Sequence, residues 1–484
     1  METTRPLADF AIHTTFEKLP SEVVHQTKRV LLDCVACALA ATRTDKGRIV
    51  LEVGRELGGS AEVTIWGDRH RAPLTTAAFV NAELTNTMDL DEVLLNWGHI
   101  SPYVMPPAVA LAERERARGC ELVRAMAIGY EVAARIGGAL TAVVLLKGCP
   151  PQLETTIPPA WGYGFGAFGA ATAAGLLLGL NVERMLSALG IAGHSSQVPG
   201  CMKWSHSPPV AMHKYALAGL VAHTGLVAAL LARRGFTGDP SVLDGERGYW
   251  RFVGSDFWAP ELVLEALGAR WSILETSFKL YPCCRYIHHS MDLVARLVAE
   301  NALKPDEIET IDVRLFSRAA GTSVFAIREL RDHMDIQFSV SYTIAAAALG
   351  LHRGPRLQSP ETLADPRLHE LARKVHVDVD PRVAEVRYHT HGLRPVQAID
   401  RLPATVAIRA RGSVFRAEGE YALGDPWTEA TRLSDEDLRA KFRDCADGVL
   451  DRPRQERVIE LIEQLEKLRE LDELFASLRA VVPA

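Results

Sequence analysis

Apolar positions recur at helical spacing from the start of the chain. Ser21 follows Pro20 and can cap a helix, because its hydroxyl accepts an orphan backbone N–H. Val23, Val24, Val30, Leu31, Cys34, Val35 and Ala38 then fall at the spacing of one helix face. The same texture returns over residues 75–87, 104–116, 121–140, 167–180, 182–193 and 211–234. Residues 1–268 are therefore predicted to form a large all-helical domain. Near Trp271 the pattern changes. Ile311, Val313 and Leu315 alternate with polar residues, as do Val375, Val377 and Val379, and later Val406 and Ile408. Period two with β-branched residues predicts strands. Helical stretches lie between them at 289–300 and 339–349, so residues 269–420 are predicted to be a smaller α+β domain. Residues 421–484, helical over 435–478, need a partner surface for their apolar positions and are expected to pack back on the first domain. The fold class expected is mainly α.

Length and composition narrow the class. A chain of 484 residues exceeds one compact core and suits two or three domains. Lys and Arg number 54 against 60 Asp and Glu, a formal charge of −6. Such a balance gives no overall attraction for nucleic acid or an anionic membrane. A carboxylate substrate would then need a local basic pocket. The eight cysteines show no disulfide framework, residues 1–20 lack the apolar core of a signal peptide, and the apolar runs near Ala170 and Leu226 are interrupted. A reducing cytoplasm is the expected setting.

Three clusters could carry chemistry. Residues 81–92 (NAELTNTMDLDE) put Asp89, Asp91 and Glu92 after a helix, where the macrodipole disfavours negative charge, and His99 follows on a loop. Acids with a histidine on a loop suit acid–base work, although a solvated loop with a surface histidine is the blander alternative. Residues 279–289 (KLYPCCRYIHH) bring Lys279, Arg285 and His288, groups that hold carboxylates or move protons. An ordinary loop with an apolar cysteine pair is the alternative there. Lys203, His206, His213 and Lys214 form a third basic group, with Lys214 expected to open a long helix. Cys34-x-x-Cys37 lies in an apolar helical pattern and suits core packing better than a metal. The run Gly162-x-Gly164-x-Gly166-x-x-Gly169 has no preceding strand, so close backbone approach explains it better than a dinucleotide site.

These segments in this order resemble the MmgE/PrpD family. The resemblance is carried by residues 31–41 (LLDCVACALAA), 81–113, 129–136 (GYEVAARI), 165–180, 211–239, 279–288 (KLYPCCRYIH), 337–347 (QFSVSYTIAAA) and 433–442 (LSDEDLRAKF). It implies a large helical domain with a smaller α+β lid, a homodimer, and a site between the two parts needing no metal or other cofactor. Carried over by matching motif, it points to Asp89, His99, Lys214, Lys279, His288 and Tyr342. Val93, Ile100, Ala160 and Leu217 depart from the family pattern, the last two standing where histidines are usual.

The reading that joins the residues and the resemblance is a lyase, a dehydratase or decarboxylase acting on a small di- or tricarboxylic acid. His99, Asp89, Lys279, His288 and Tyr342 would form its proton-transfer set, and Lys214, Arg285, Lys203 and Trp161 would bind substrate. Two alternatives stay open: an epimerase or isomerase of a small dicarboxylate, and a non-catalytic dimeric binding protein of the same fold. No nucleic acid or membrane partner is expected.

Overall fold

The computed structural model describes residues 1–480 except 96–97, 141–144, 148–153, 157–161, 256–257, 316–321 and 381–400. Its first half is a layered helical bundle. The helices that position the site are α1 (Ser21–Ala41), α2 (Leu74–Thr87), α3 (Ser101–Glu115), α4 (Gly119–Leu140), α5 (Gly166–Leu177), α6 (Val182–His194) and α7 (Ala218–Arg233). Helix α2 packs against α1, α3 and α7, and α5 packs against α3, α4, α6 and α7. Helices this crowded need small residues at their crossings, because a bulky side chain would hold the backbones apart. A Cβ added to Gly169 would lie 2.6 Å from the Gly129 carbonyl oxygen, and one added to Gly225 would lie 2.3 Å from that of Ala167. Close backbone approach thus accounts for glycines of the expected Gly-rich run. Cys34 and Cys37 are fully buried free thiols in the core of α1.

The second half carries a four-stranded sheet. Its strands are β1 (Ile308–Leu315), β2 (Val375–Val379), β3 (Ala404–Ala410) and β4 (Ser413–Gly419), in the order β2-β1-β3-β4. Strands β1 and β2 run parallel, and the other pairs are antiparallel. In β1 the apolar Ile311, Val313 and Leu315 are buried while Asp312 and Arg314 are exposed, so one face meets the core. Helix α8 (Arg285–Glu300) lies against β1, β3 and β4, and α9 (Val340–Ala348) packs on α8. Near the C-terminus, α10 (Asp435–Ala446) opens with a reciprocal cap between Ser434 and Asp437 and packs on α1. The buried apolar side chains of both halves form one continuous cluster.

The structure is mainly α, as the pattern predicted, with three differences. Strand β4 was not anticipated; it is an edge strand whose residues are exposed or half-buried, so its alternation has little contrast. The helical half also contains short antiparallel pairs, Val63–Thr64 with Arg71–Ala72 and Leu145–Lys147 with Glu154–Thr156. The helix expected over 211–234 begins only at Ala218. Residues 211–217 turn instead, with Tyr215 at φ 66°, and this turn aims Lys214 and Tyr215 at a carboxylate. Among the described residues no helix is long and apolar enough to cross a membrane.

Candidate active site

Helix α2 ends at Thr87, and its last carbonyl and those of the turn that follows lack intrahelical donors. Side chains far away in sequence supply them. Gln337 Nε2 donates to the Thr87 oxygen at 3.1 Å, and Gln358 Nε2 to that of Met88 at 2.8 Å. Lys279 Nζ donates to the Asp89 oxygen at 3.0 Å, and Lys441 Nζ to that of Leu90 at 2.7 Å. Four successive carbonyls are thereby captured, two by cations that suit the negative end of a helix. Asp89 itself sits at φ 55°, a left-handed conformation that Asp tolerates better than most residues.

The Asp89 carboxylate is fully buried and accepts from three groups. Lys214 Nζ reaches Oδ1 at 2.8 Å, Tyr215 OH reaches Oδ1 at 3.0 Å, and Lys279 Nζ reaches Oδ2 at 3.0 Å. His99 joins it: its Nε2 lies 3.4 Å from Asp89 Oδ1, and its Nδ1 lies 2.7 Å from Asp91 Oδ2. Asp91 is held in turn by the Asn86 amide, 3.2 and 3.1 Å from its two oxygens. The imidazole packs against the Tyr215 and Tyr163 rings, with centroids 5.2 and 6.2 Å away. The neighbouring Glu92 accepts from the Ile100 and Ser101 N–H groups at 3.1 and 2.6 Å and from Tyr130 OH at 2.9 Å. It thus closes the N-terminus of α3 and fixes the loop that carries His99.

The electrostatics follow from burial and pairing. Burial works against ionised Asp89, but Lys214, Lys279 and His99 outweigh it and hold its carboxyl well below the usual range. Burial also opposes the imidazolium of His99. The Asp91 carboxylate and hydrogen bonds to both aspartates overcome this and raise its pKa above the ordinary value. The two lysines diverge. Burial lowers Lys214 to about 8 against the pull of Asp89 and Asp91, while Lys279 is raised because the same carboxylates outweigh its burial.

His99 and Lys279 line a cavity of about 50 Å³. Cys284 and Arg285 also line it, and the rest of its wall is largely aromatic, with Tyr163, Trp204, Tyr215, Tyr286, Phe325 and Phe338. Two buried N–H groups on lining side chains, Trp204 Nε1 and Arg285 Nε, have no acceptor among the described residues. A larger open cleft of about 970 Å³ reaches Met88 and Gln358 on the other side of the Asp89 turn. Its rim mixes Arg43, Arg331 and Arg356 with Asp45, Asp365 and Asp444, without the histidine and lysines of the cluster.

The structure brings together Asp89, His99, Lys214 and Lys279, and it sets Arg285 on the cavity wall. The Arg285 guanidinium is already engaged, with Nη2 2.5 Å from Asp425 Oδ1 and Nη1 donating to the Leu423 oxygen at 3.0 Å. His288 lies behind it, away from the cavity lining. Its Nδ1 accepts from Arg285 Nη1 at 3.0 Å and its Nε2 donates to the Cys283 oxygen at 3.1 Å. Burial, then the Arg285 charge, pushes its pKa well below the ordinary value, so it stays neutral. Tyr342 is not on the lining either; its phenol lies 3.2 Å from the Arg328 oxygen and 3.0 Å from His369 Nδ1. Lys203 is exposed on the short helix Cys201–Ser205, outside the lining. Trp161 and Ala160 lie outside the described residues. Asp91, Asn86 and Tyr215 also belong to the cluster; the sequence pattern marks Asp91 as one of three neighbouring acids but assigns none of the three residues a role. The signals were slight: Asp91 two residues after Asp89, and Tyr215 directly after Lys214.

Known proteins resemble this chain over most of its length. Human cis-aconitate decarboxylase is 26% identical over 480 residues, covering 96% of this chain and 92% of that protein. The cis-aconitate decarboxylase of Mus musculus is 27% identical over 467 residues, 93% of this chain and 88% of the other. That of Aspergillus terreus is 28% identical over 397 residues, 77% of each chain. The MmgE/PrpD N-terminal domain matches residues 5–260 and the MmgE/PrpD C-terminal domain matches residues 281–467. With both domains matched in order along its length, the chain belongs to the MmgE/PrpD family.

Proposed function

We propose that this protein is a lyase acting on a small carboxylic acid, with proton transfer beside the carboxylate as its chemical step. The observation that carries the reading is the buried Asp89–Lys214–Lys279 cluster joined by His99, which with Lys279 lines a cavity. The similarity to cis-aconitate decarboxylases over most of both chains supports it.

The chemistry needs two things. Breaking a bond next to a carboxylate, whether to hydrogen or to carbon dioxide, builds negative charge on the remaining oxygens. A fixed cation at the cavity stabilises that charge, and Lys279, raised in pKa and so charged, is a cation on the wall, as is Arg285, which is already engaged by Asp425. The second need is a group that gives and takes a proton near neutral pH. His99 is raised from its usual value by its carboxylate partners, and Lys214 is lowered to about 8 by burial, so both are candidates for that role. His99 Nε2 exchanges the proton at the cavity wall. Asp89 Oδ1, 3.4 Å from that nitrogen and 2.8 Å from Lys214 Nζ, links the two. Asp91 fixes the imidazole through Nδ1.

The test is turnover of cis-aconitate and a panel of related hydroxy and unsaturated acids in deuterated water, followed by proton NMR. Loss of carbon dioxide or water, abolished in a folded His99→Asn protein, is the expected result. Deuterium exchange without loss of either would instead establish an isomerase or epimerase. Undiminished turnover in the His99 variant would remove the assignment of the acid–base group.

A further inference from the structure

Three donors converge on one oxygen. Lys214 Nζ and Tyr215 OH lie 2.8 and 3.0 Å from Asp89 Oδ1, and His99 Nε2 lies 3.4 Å from it. A carboxylate oxygen has two lone pairs, so it accepts two good hydrogen bonds and holds a third donor loosely. The lysine and tyrosine contacts are of ordinary length, whereas the histidine stands beyond the usual reach of about 3.2 Å for an N–H···O bond.

Tyr215 reaches this position through a strained turn. Its backbone stands at φ 66°, a region that non-glycine residues seldom enter. Two bonds hold the turn in that shape: Ala216 N–H donates to the Lys214 oxygen at 2.9 Å, and Cys201 Sγ to the Tyr215 oxygen at 3.2 Å. The buried ring lines the cavity and packs against the imidazole, so one side chain borders both the ligand space and the acid–base group. Burial keeps the phenol protonated, and its O–H remains a donor.

We propose that Tyr215 is a positioning residue for the acid–base step. With Lys214, its hydroxyl fills Asp89 Oδ1 and thereby keeps the Nε2 hydrogen of His99 uncommitted, ready to be shared with a bound acid. The proposal rests on the reading of His99 as the acid–base group and adds what holds it apart from its carboxylate neighbour. Without the hydroxyl, Nε2 would close on the vacated lone pair, and the stronger pairing would favour the imidazolium over the neutral ring. A proton bound more tightly is handed over less readily.

Tyr215→Phe in the full-length protein is the test, because the ring that packs against Tyr163, Trp204 and Phe338 stays. The titratable groups acting on the imidazole, among them Asp91, Asp89, Glu92 and Lys279, are kept as well. NMR of the ligand-free protein with isotope-labelled histidine, the His99 signal assigned from His99→Asn, follows the imidazole through a pH titration. The expected result is a His99 pKa higher by roughly one unit, the scale of one hydrogen bond to a charged group. Asp91→Asn, which strips the other ring nitrogen, is the control and moves it down. In turnover of the acids named above, kcat should fall about threefold or more while the alkaline limb moves to higher pH. An unchanged or lowered His99 pKa in folded Tyr215→Phe overturns the proposal and leaves the lyase reading standing, and so does an undiminished kcat. No turnover of any of the acids by the unaltered protein removes the lyase reading and, with it, the step that Tyr215 serves.

Discussion

His99 is held between two carboxylates, with Nδ1 2.7 Å from Asp91 and Nε2 3.4 Å from Asp89. The two contacts do different work. The shorter one fixes the ring and favours its protonated form, and the longer one leaves Nε2 free to exchange its bond for one to substrate. Asp91→Asn should separate these roles. Asp91 is the leading influence that raises the His99 pKa, so its loss lowers that pKa. A general acid is active below its pKa and fails as pH rises through it. The alkaline limb of kcat/KM governed by His99 should therefore move to lower pH in the variant, with kcat reduced about 10²-fold or more. An unchanged limb in a folded variant would show that Asp91 does not position the acid.

Asp89→Asn should weaken the fold as well as the chemistry. It leaves Lys214 and Lys279 facing each other in a buried site without their carboxylate. Removing one partner of a buried ion pair typically costs about 3–5 kcal/mol. Adding Lys214→Met should recover part of that loss, since the second change removes the stranded charge. Chemical denaturation of the two singles and the double variant, read as a double-mutant cycle, measures this. Strict additivity would sink the idea that one carboxylate serves both lysines.

Much of this cluster was legible before any coordinates, and the reasons for the misses are physical. Helices α2 to α6 follow from apolar periodicity because they are long and buried on a broad face. The stretch around Lys214 has the same apolar texture, yet it turns, because Lys214 and Tyr215 gain a buried carboxylate that lies 125 and 126 residues away in sequence. A local pattern carries no trace of such a partner. Arg285 looked like a substrate clamp for the same reason: Asp425, which engages it, comes 140 residues later. His288 matched a motif, but spacing does not reveal that Arg285 and Cys283 occupy both of its ring nitrogens. Asp91 was marked only as one of three nearby acids, because acids close together in a turn look equivalent until the imidazole shows which one holds it.

Lys441→Met should reduce activity from a distance. Lys441 sits on α10, far along the chain from the turn it anchors, and donates to the Leu90 oxygen and to Asp33. Asp33 in turn accepts the Glu92 N–H at 3.0 Å. The variant keeps all the groups that face the cavity but frees the turn they stand on. Stability should drop by about 3–5 kcal/mol, since Asp33 is left buried and unpaired. In variant protein still folded at low temperature, kcat should fall more than KM rises, because the loss is of alignment. Full kcat in the folded variant would refute this.

Gly169→Ala tests the helix crossing. The added methyl would meet the Gly129 oxygen at 2.6 Å and Ala133 Cβ at 2.7 Å, contacts that neither backbone can relieve locally. Overpacking of this kind costs about 1–3 kcal/mol. Thermal unfolding should show a lowered Tm; an unaltered Tm would mean that α4 and α5 can separate without strain.

The four carbonyls from Thr87 to Leu90 have a temporal consequence. Their donors stand at positions 279, 337, 358 and 441, so the acid–base loop cannot set while the chain is still being made. A ribosome must release nearly the whole polypeptide before the last tether arrives. Catalytic competence should accordingly appear late in refolding, after most helical signal has returned, and chains halted before α10 should accumulate as folded-looking but inert bundles.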